Sequence, residues 1–266
     1  MSDAKPPILL VHGAWTEPSC WDNYIPVLEA EGYRCLTPTL RHHDCRPDDD
    51  PHPELCTVSI RDYVDDLEAI ANDLDALPIV IGHSMGGLLA QLLLARVPAR
   101  AGVLLSPAWP WGVWGLPLTS LCAIAPQFGT WGFWRKPCRP SAEKVAYAIA
   151  NRMAPEDQQQ LHQDMVFDSG RALAEMALWP LDRSRATEVD PSRITCPLLI
   201  VAGRDDRITP ASMIYKIARF YGDVAEFREL PGYAHYLLGE PGWERVVEEV
   251  VHWLDTRISE TIRSRT

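Results

Sequence analysis

Short apolar runs alternate with stretches of helical periodicity over much of this 266-residue chain. Apolar runs bounded by turn residues are typical of strands that are buried on both faces of a sheet. The helical stretches between them can make the crossover connections that parallel strands require. The alternation therefore predicts an α/β fold with a mostly parallel sheet of about six strands, at residues 8–11, 34–38, 78–82, 102–105, 197–202 and 225–230.

The alternation stops between residues 108 and 186, where the chain is rich in tryptophan and proline and then becomes helix-like. We predict that residues 1–107 and 187–266 form the core and that residues 108–186 form an inserted, largely helical cap without strands. One core with an insertion suits a chain of this length better than two independent domains. Only seven residues precede the first strand, so we expect the sheet to lack a leading antiparallel hairpin.

Residues 101–134 contain no Asp, Glu, Lys or Arg and could be mistaken for a membrane span. Pro107, Pro110, Pro117 and Pro126 interrupt this segment, whereas a spanning helix needs about 20 consecutive apolar residues. We therefore expect the segment to be buried or to line a cleft.

Charge and cysteine content limit the partners and the compartment. The formal net charge of −11, without a basic stripe, argues against a nucleic-acid partner. The N-terminus lacks the basic region and apolar core of a signal peptide. The seven cysteines are scattered and form no Cys-x-x-Cys pair, which favours free thiols in a reducing compartment. We expect a cytoplasmic protein without stable membrane insertion.

The loop after the second predicted strand contains His42, His43, Cys45 and His52, all residue types that bind metals. Their spacing matches no familiar zinc pattern, and the Pro/Asp-rich residues 46–53 are typical of a solvated loop. We predict no metal site, and a site in this loop is the minor alternative.

The strongest indication of chemistry is the Gly-x-Ser-x-Gly pattern at residues 82–86, which places Ser84 between a predicted buried strand and an apolar helix. In that context the pattern is typical of a nucleophile elbow, a strained turn that exposes the serine hydroxyl above the sheet. The flanking glycines allow backbone segments to pass closely. The alternative is a glycine-rich turn without chemistry; we predict that Ser84 is a nucleophile.

A serine hydroxyl needs a general base to become a good nucleophile. His235 follows the last predicted strand and should reach the same carboxyl edge of the sheet as Ser84, although a lone loop histidine can also be a surface residue. Asp205 and Asp206 follow the fifth predicted strand and offer a carboxylate that can orient the imidazole. Consecutive residues point in different directions, so we expect only one aspartate to face His235, while the other can cap the next helix.

Three such sites in the order Ser…Asp…His, with a cap after the fourth strand, resemble the α/β-hydrolase superfamily over nearly the whole chain. The run of residues 12–15, followed by Cys20-Trp21 and a helix containing Pro26 and Leu28, is similar to the methylesterase and hydroxynitrile-lyase branch. It also resembles many bacterial esterases and lactonases. The resemblance implies an α/β-hydrolase fold and the activity of a serine esterase.

The resemblance also implies roles for individual residues. The acid of this pattern lies three residues after a glycine and four before a proline, and Asp206 has that position relative to Gly203 and Pro210. The oxyanion hole of the family is formed by backbone N–H groups that correspond to Ala14 and Met85.

Two departures from the family pattern bear on specificity. Residues 40–44 replace the Pro-Gly-His-Gly type of loop that is usual after the second strand, so contacts from that side do not follow from the resemblance. No lysine lies near the acid and histidine loops, where lyases of this branch carry one, and this favours a hydrolase over a lyase.

Candidate substrate contacts come from two parts of the chain. Trp15 and His83 adjoin the predicted oxyanion and nucleophile loops, and Trp109, Trp111 and Trp131 belong to the cap. We predict that these five side chains contact substrate, whereas most cap tryptophans are expected to pack the cap onto the core. An apolar pocket above Ser84 would suit an acyl or aromatic group.

The sequence thus predicts a cofactor-independent hydrolase of a small to medium apolar ester or lactone, which acts through an acyl-enzyme intermediate. The expected partner is the small-molecule substrate, with a homodimer as a possibility. A lyase or C–C bond hydrolase with the same three residues is the enzymatic alternative. A small-molecule receptor on a hydrolase scaffold is the non-enzymatic alternative.

Overall fold

The computed structural model describes residues 5–115 and 131–263, with side chains up to residue 257. These residues form the strands β1 (Ile8–Val11), β2 (Cys35–Leu36), β3 (Ile79–His83), β4 (Ala101–Leu105), β5 (Pro137–Cys138), β6 (Asp168–Ser169), β7 (Leu198–Gly203) and β8 (Ala225–Leu230). Their α-helices are α1 (Tyr24–Ala30), α2 (Ile60–Asn72), α3 (Met85–Leu94), α4 (Ala142–Lys144), α5 (Pro155–Asp164), α6 (Gly170–Ala177), α7 (Ala211–Tyr221) and α8 (Trp243–Arg263).

Six strands form one parallel sheet in the order β2-β1-β3-β4-β7-β8, which confirms the predicted sheet. No strand precedes β1 within the described residues. β2 is shorter than the predicted residues 34–38 because it is an edge strand that pairs only with β1. Pro38 follows it closely and has no N–H to donate to a ladder.

Alternate side chains of each central strand enter two separate apolar cores. Leu9 and Val11 pack with α2, α3 and α7 on one face, and Ile8 and Leu10 pack with α1 and α8 on the other. This alternation follows from the two-residue period of a strand. Because helices cover both faces, every residue of β1, β3, β4 and β7 is buried, and the sheet is a rigid platform for the loops at its carboxyl edge.

A capping box at Ser59 explains the start of α2. The Ser59 side chain accepts hydrogen bonds from the backbone N–H groups of Arg61 and Asp62, and the Asp62 carboxylate accepts from the Ser59 N–H. Such caps contribute about 1 kcal/mol to helix stability. The cap therefore fixes the start of α2, which packs against α3 behind the carboxyl edge of the sheet.

Between β4 and β7 the chain leaves the sheet and forms the predicted insertion. Its described part holds α4, α5 and α6, and also an antiparallel pair in which Pro137 lies opposite Ser169 and Cys138 opposite Asp168. The prediction of a cap without strands is therefore wrong. Strands of two residues are too short to produce a period in the sequence.

Part of the uncharged segment lies outside the described residues, namely residues 116–130 with Pro117, Cys122 and Pro126. Within the described ranges, no helix combines the length and the apolarity that crossing a membrane requires. The other cysteines, which the structure does describe, are free thiols.

Candidate active site

Ser84 occupies the turn between β3 and α3 with φ of 54° and ψ of −118°. A residue other than glycine in such a conformation costs about 1–3 kcal/mol, which the surrounding structure must offset. Close backbone contacts impose the turn: a Cβ on Gly82 would overlap the Gly86 carbonyl, and a Cβ on Gly86 would overlap the Val11 carbonyl. The Ser84 side chain does not cap α3, so its hydroxyl is available at the positive end of that helix.

His235 lies in the loop after β8 and connects Ser84 to Asp206. Its Nε2 is 2.9 Å from Ser84 Oγ, and its Nδ1 is 2.8 Å from Asp206 Oδ2. The carboxylate can accept only an N–H, so Nδ1 carries the proton and Nε2 faces the serine hydroxyl with its lone pair. The three side chains therefore form a hydrogen-bonded triad, in which the His235 imidazole is able to take the proton of the Ser84 hydroxyl.

Backbone donors fix the Asp206 carboxylate in this triad. The N–H groups of Ile208 and Thr209 lie 2.8 Å and 2.9 Å from its Oδ1, and the Thr209 hydroxyl lies 2.8 Å from Oδ2. Asp206 is only 4% exposed, so these bonds replace the water that an ionised carboxylate needs. Thr209 was not predicted, because a threonine two residues beyond Arg207 gives no signal of its own in the sequence.

The two adjacent aspartates, Asp205 and Asp206, have different contacts. Only Asp206 contacts His235, whereas the Asp205 side chain is 40% exposed and lies 3.7 Å from Arg152. Asp205 uses its backbone N–H to bond the Tyr233 carbonyl, which braces the loop. The register taken from the family pattern therefore gives the aspartate that faces the imidazole.

Ala14 and Met85 both line the cavity that contains the Ser84 hydroxyl. Met85 is the first residue of α3, so its N–H is one of the helix donors without an intrahelical partner. Among the described residues, neither backbone N–H donates to a protein acceptor. Both donors are thus free to bind an oxygen atom placed next to Ser84.

The cavity above Ser84 has a volume of about 80 Å³ and a mainly apolar lining. The predicted residues Trp15 and Trp109 line it, and α6 contributes a wall that the sequence did not reveal. That wall consists of Leu173, Met176 and Ala177. The helical spacing of these residues predicts an apolar face, but nothing in the sequence says which part of the core that face meets.

His83, which the sequence predicts as a substrate contact, does not line this cavity. Its side chain is buried behind the loop that carries His235, and its Nε2 lies 2.8 Å from the His235 carbonyl. Burial, together with the nearby His235, lowers the pKa of His83 to about 3. His83 is therefore neutral and donates its Nε2–H to the loop, where it supports the backbone of His235.

Trp111 and Trp131, which the sequence also predicts as substrate contacts, do not line this cavity either. The Trp111 ring packs against Trp179, and Arg185 lies 4.4 Å above its face. Trp131 is 88% exposed and contacts Trp134. Both residues sit in irregular segments, where the sequence does not determine the direction of a side chain.

Glu240 lies beneath the loop after β8 that carries His235, and the sequence analysis did not predict it. Both of its carboxylate oxygens are 2.9 Å from the backbone nitrogen of Ala234, which precedes His235. The side chain is almost fully buried, and this burial raises the pKa of Glu240 to about 7. A buried carboxylate thus holds the loop that carries the imidazole.

The histidine-rich loop contains one cluster of metal-ligating groups among the described residues, formed by His42, His52 and Glu54. The two imidazoles are stacked, with centroids 3.8 Å apart and planes only 4° from parallel. A metal ion lies close to the plane of each imidazole that binds it, and two stacked planes share no such position. His43 is buried elsewhere, 3.2 Å from Asp168, so it does not join this cluster.

The sequence of this chain is similar to those of known hydrolases. A sequence model described as the alpha/beta hydrolase family matches residues 8–249. A pyrethroid hydrolase of Sphingobium wenxiniae is 34% identical over 98 residues, which cover 37% of this chain and 34% of that protein, about a third of its length. A monoacylglycerol lipase of Mycolicibacterium smegmatis is 29% identical over 208 residues, 74% of this chain and 71% of the lipase.

Among solved structures, the methylesterase MES16 of Arabidopsis superposes with a TM-score of 0.71 at 14% sequence identity. The superposition covers 95% of this chain and the whole of the other. At this identity the likeness concerns the fold alone.

Proposed function

Because the chain belongs to the alpha/beta hydrolase family, we propose that it cleaves a small to medium apolar carboxylic ester or lactone through an acyl-enzyme intermediate. It is a carboxylic-ester hydrolase, and the hydrolase, lipase and methylesterase that it resembles support this class. The observation that carries the proposal is the line from Ser84 Oγ through the His235 imidazole to Asp206 Oδ2, with distances of 2.9 Å and 2.8 Å.

In the proposed reaction, His235 Nε2 takes the proton of Ser84 as Oγ attacks the carbonyl carbon of the ester. The carbonyl π electrons move to oxygen, and the N–H groups of Ala14 and Met85 stabilise the oxyanion, each by a few kcal/mol. Asp206 stabilises the imidazolium that forms. His235 then returns the proton to the leaving alkoxide, and water repeats the sequence on the acyl-enzyme to release the acid.

The cavity supports an apolar acyl group. Trp109, Leu173 and Met176 surround the space next to Ser84, whereas the polar lining is largely confined to Ser84 and Thr209. Burial of methylene groups against such walls contributes about 0.8 kcal/mol for each group. Chain length is therefore the property of the substrate that this site is able to discriminate.

A panel of p-nitrophenyl esters of increasing acyl length, measured together with a lactone and mandelonitrile, tests the proposal. We expect the wild type to hydrolyse the esters and the Ser84→Ala variant to lose several orders of magnitude in kcat. Turnover that survives in Ser84→Ala would contradict the acyl-enzyme mechanism. Cleavage of mandelonitrile alone would identify a lyase instead.

A further inference from the structure

We propose that Asp168, a carboxylate of the inserted segment, is a positioning residue that holds the oxyanion loop, which we define as residues 13–16. This inference rests on the proposed function, because it assigns Asp168 a part in ester hydrolysis. Asp168 lies in β6 and is fully buried, far along the chain from Ser84, His235 and Asp206.

The inserted segment binds both polar groups of the Trp15 backbone. The Trp15 N–H donates to Asp168 Oδ2 at 3.1 Å, and the Trp15 carbonyl accepts from the Val166 N–H at 2.9 Å. Trp15 has φ of 63°, in the left-handed region that is strained for a tryptophan. These two hydrogen bonds therefore help to hold the loop in a conformation that its own sequence disfavours.

Ala14, whose N–H we assign to the oxyanion hole, directly precedes Trp15. The Trp15 N–H belongs to the Ala14–Trp15 peptide, so its bond to Asp168 fixes that peptide and, across the Ala14 Cα, restrains the preceding Gly13–Ala14 peptide that carries the Ala14 N–H. On the other side of Ala14, the Gly13 carbonyl lies 3.0 Å from both His12 Nδ1 and Thr16 Oγ1. The loop is thus held at both flanks of the residue that carries the donor, and Asp168 supplies the only charged group among these contacts.

Three hydrogen-bond donors and the His43 imidazole surround the Asp168 carboxylate. The Trp15 N–H donates to Oδ2 at 3.1 Å, and His43 Nε2 forms an ion pair with the same oxygen at 3.2 Å. The Ser169 N–H and the Tyr63 hydroxyl meet Oδ1, at 2.6 Å and 3.1 Å. Each oxygen therefore accepts a hydrogen bond from one backbone N–H, whose direction is fixed by the backbone.

His43 supplies the counter-charge. Its Nδ1 faces the Arg41 carbonyl at 3.2 Å while its Nε2 faces the carboxylate, so both ring nitrogens meet acceptors and the imidazolium fits this position. Burial alone would lower the pKa of His43, but Asp168 outweighs it and raises that pKa above its ordinary value. The pair therefore favours the protonated form of the His43 imidazole and the ionised form of the Asp168 carboxylate, whose pKa His43 helps to lower despite burial.

The three donors and the imidazole make asparagine a poor substitute for Asp168. An asparagine amide has one oxygen and one NH₂ group, so its NH₂ must face either the Trp15 N–H or the Ser169 N–H. The substitution keeps the shape of the side chain and removes the charge together with one of the two backbone acceptors. It therefore tests hydrogen bonding and charge without opening a cavity.

The experiment compares Asp168→Asn with the wild type on the shortest p-nitrophenyl ester. We expect kcat to fall about 10- to 100-fold, the scale of effects of small misplacements in an active site. KM should change by less than roughly threefold, since the loss concerns a donor used in the transition state. The pH profile of kcat/KM should keep its acid limb, because the line from Ser84 to Asp206 is untouched.

Tyr63→Phe is the matched control, since it removes one donor from Oδ1 and leaves the Trp15 bond in place. We expect its kcat to stay within about twofold of the wild type. A folded Asp168→Asn protein with wild-type kcat would overturn the inference. Equal losses of kcat in both variants would also overturn it, because a general loss of packing would then explain them.

Hydrogen exchange of the Trp15 amide in the wild type gives a second test that does not depend on how well a variant folds. We expect this amide to exchange slowly, although it lies in a turn, because its acceptor is buried. Rapid exchange would overturn the inference. A wild type that hydrolyses no ester would instead refute the proposed function, and the exchange rate would still report whether Asp168 holds the loop.

Discussion

The two aspartates that follow β7 differ in burial, and we expect them to differ in their effects on activity. Asp206 is 4% exposed and bonds the imidazole, whereas the Asp205 side chain is 40% exposed and lies near Arg152. Replacement of the catalytic acid by asparagine costs about 10⁴ in kcat in the well-studied serine proteases. We therefore expect Asp206→Asn to lose several orders of magnitude in kcat, and Asp205→Asn to lose less than about tenfold.

Both variants keep the shape of the side chain, so each serves as the control for the other. Steady-state kinetics on one ester, together with circular dichroism of both proteins, is sufficient. The reverse ranking of the two kcat values would assign the acid to Asp205 and would contradict the geometry.

Individual residues differ in how far the sequence predicts them. Ser84, Asp206 and His235 follow three parallel strands, and such strands bring the residues after their carboxyl ends to one edge of the sheet. His83 adjoins Ser84 in the sequence and Trp131 belongs to the insertion, yet neither lines the cavity. Side-chain direction in a turn depends on packing that the sequence does not display.

The loop after β8 contains a titratable group that links its stability to pH. Burial raises the pKa of Glu240 in the folded protein from 4.5 to about 7, so the folded state binds the proton more tightly than the unfolded state. The stabilisation is then complete below the unfolded pKa and is lost as the pH rises through the folded pKa. The wild type should therefore lose this contribution between about pH 4.5 and 7.

Glu240→Gln removes the titration and keeps an oxygen that can accept the Ala234 N–H. We expect the Tm of the variant, relative to the wild type, to increase between pH 5 and pH 8 as the wild-type carboxylate becomes ionised. Thermal melts in buffers across this range measure the difference. A Tm difference that does not depend on pH would show that Glu240 titrates normally.

Helix α6 forms the wall of the cavity that should set acyl-chain length. Met176 lines the cavity, so Met176→Ala lengthens the space next to Ser84. We expect the preference in kcat/KM to move toward longer acyl chains by roughly tenfold, with little change on the acetate ester. The p-nitrophenyl ester panel measures this shift.

Trp131→Ala is the matched control from the same insertion, since Trp131 is 88% exposed and does not line the cavity. Its acyl preference should equal that of the wild type. A shift with Trp131→Ala and none with Met176→Ala would mean that the cavity described here does not hold the acyl group.

For the molecule as a whole, the sheet is far more predictable than the insertion. The predicted β1, β3, β4, β7 and β8 agree with the structure to within one residue at each end. The first four are fully buried, and such parallel strands leave continuous apolar runs. The insertion lacks such runs: its strands have two residues each, and Asp168 reaches Trp15 and Tyr63 across more than a hundred positions of the chain. Contacts of that range have no signature in one sequence.

The account depends most on Ser84 as the nucleophile that His235 activates. The most direct measurement is the intact mass of the protein after incubation with a fluorophosphonate, followed by mapping of the modified peptide. We expect one adduct per chain, located on Ser84, to form in the wild type and to be lost in His235→Ala. An adduct on another residue, or an undiminished rate of labelling of Ser84 in His235→Ala, would contradict the account.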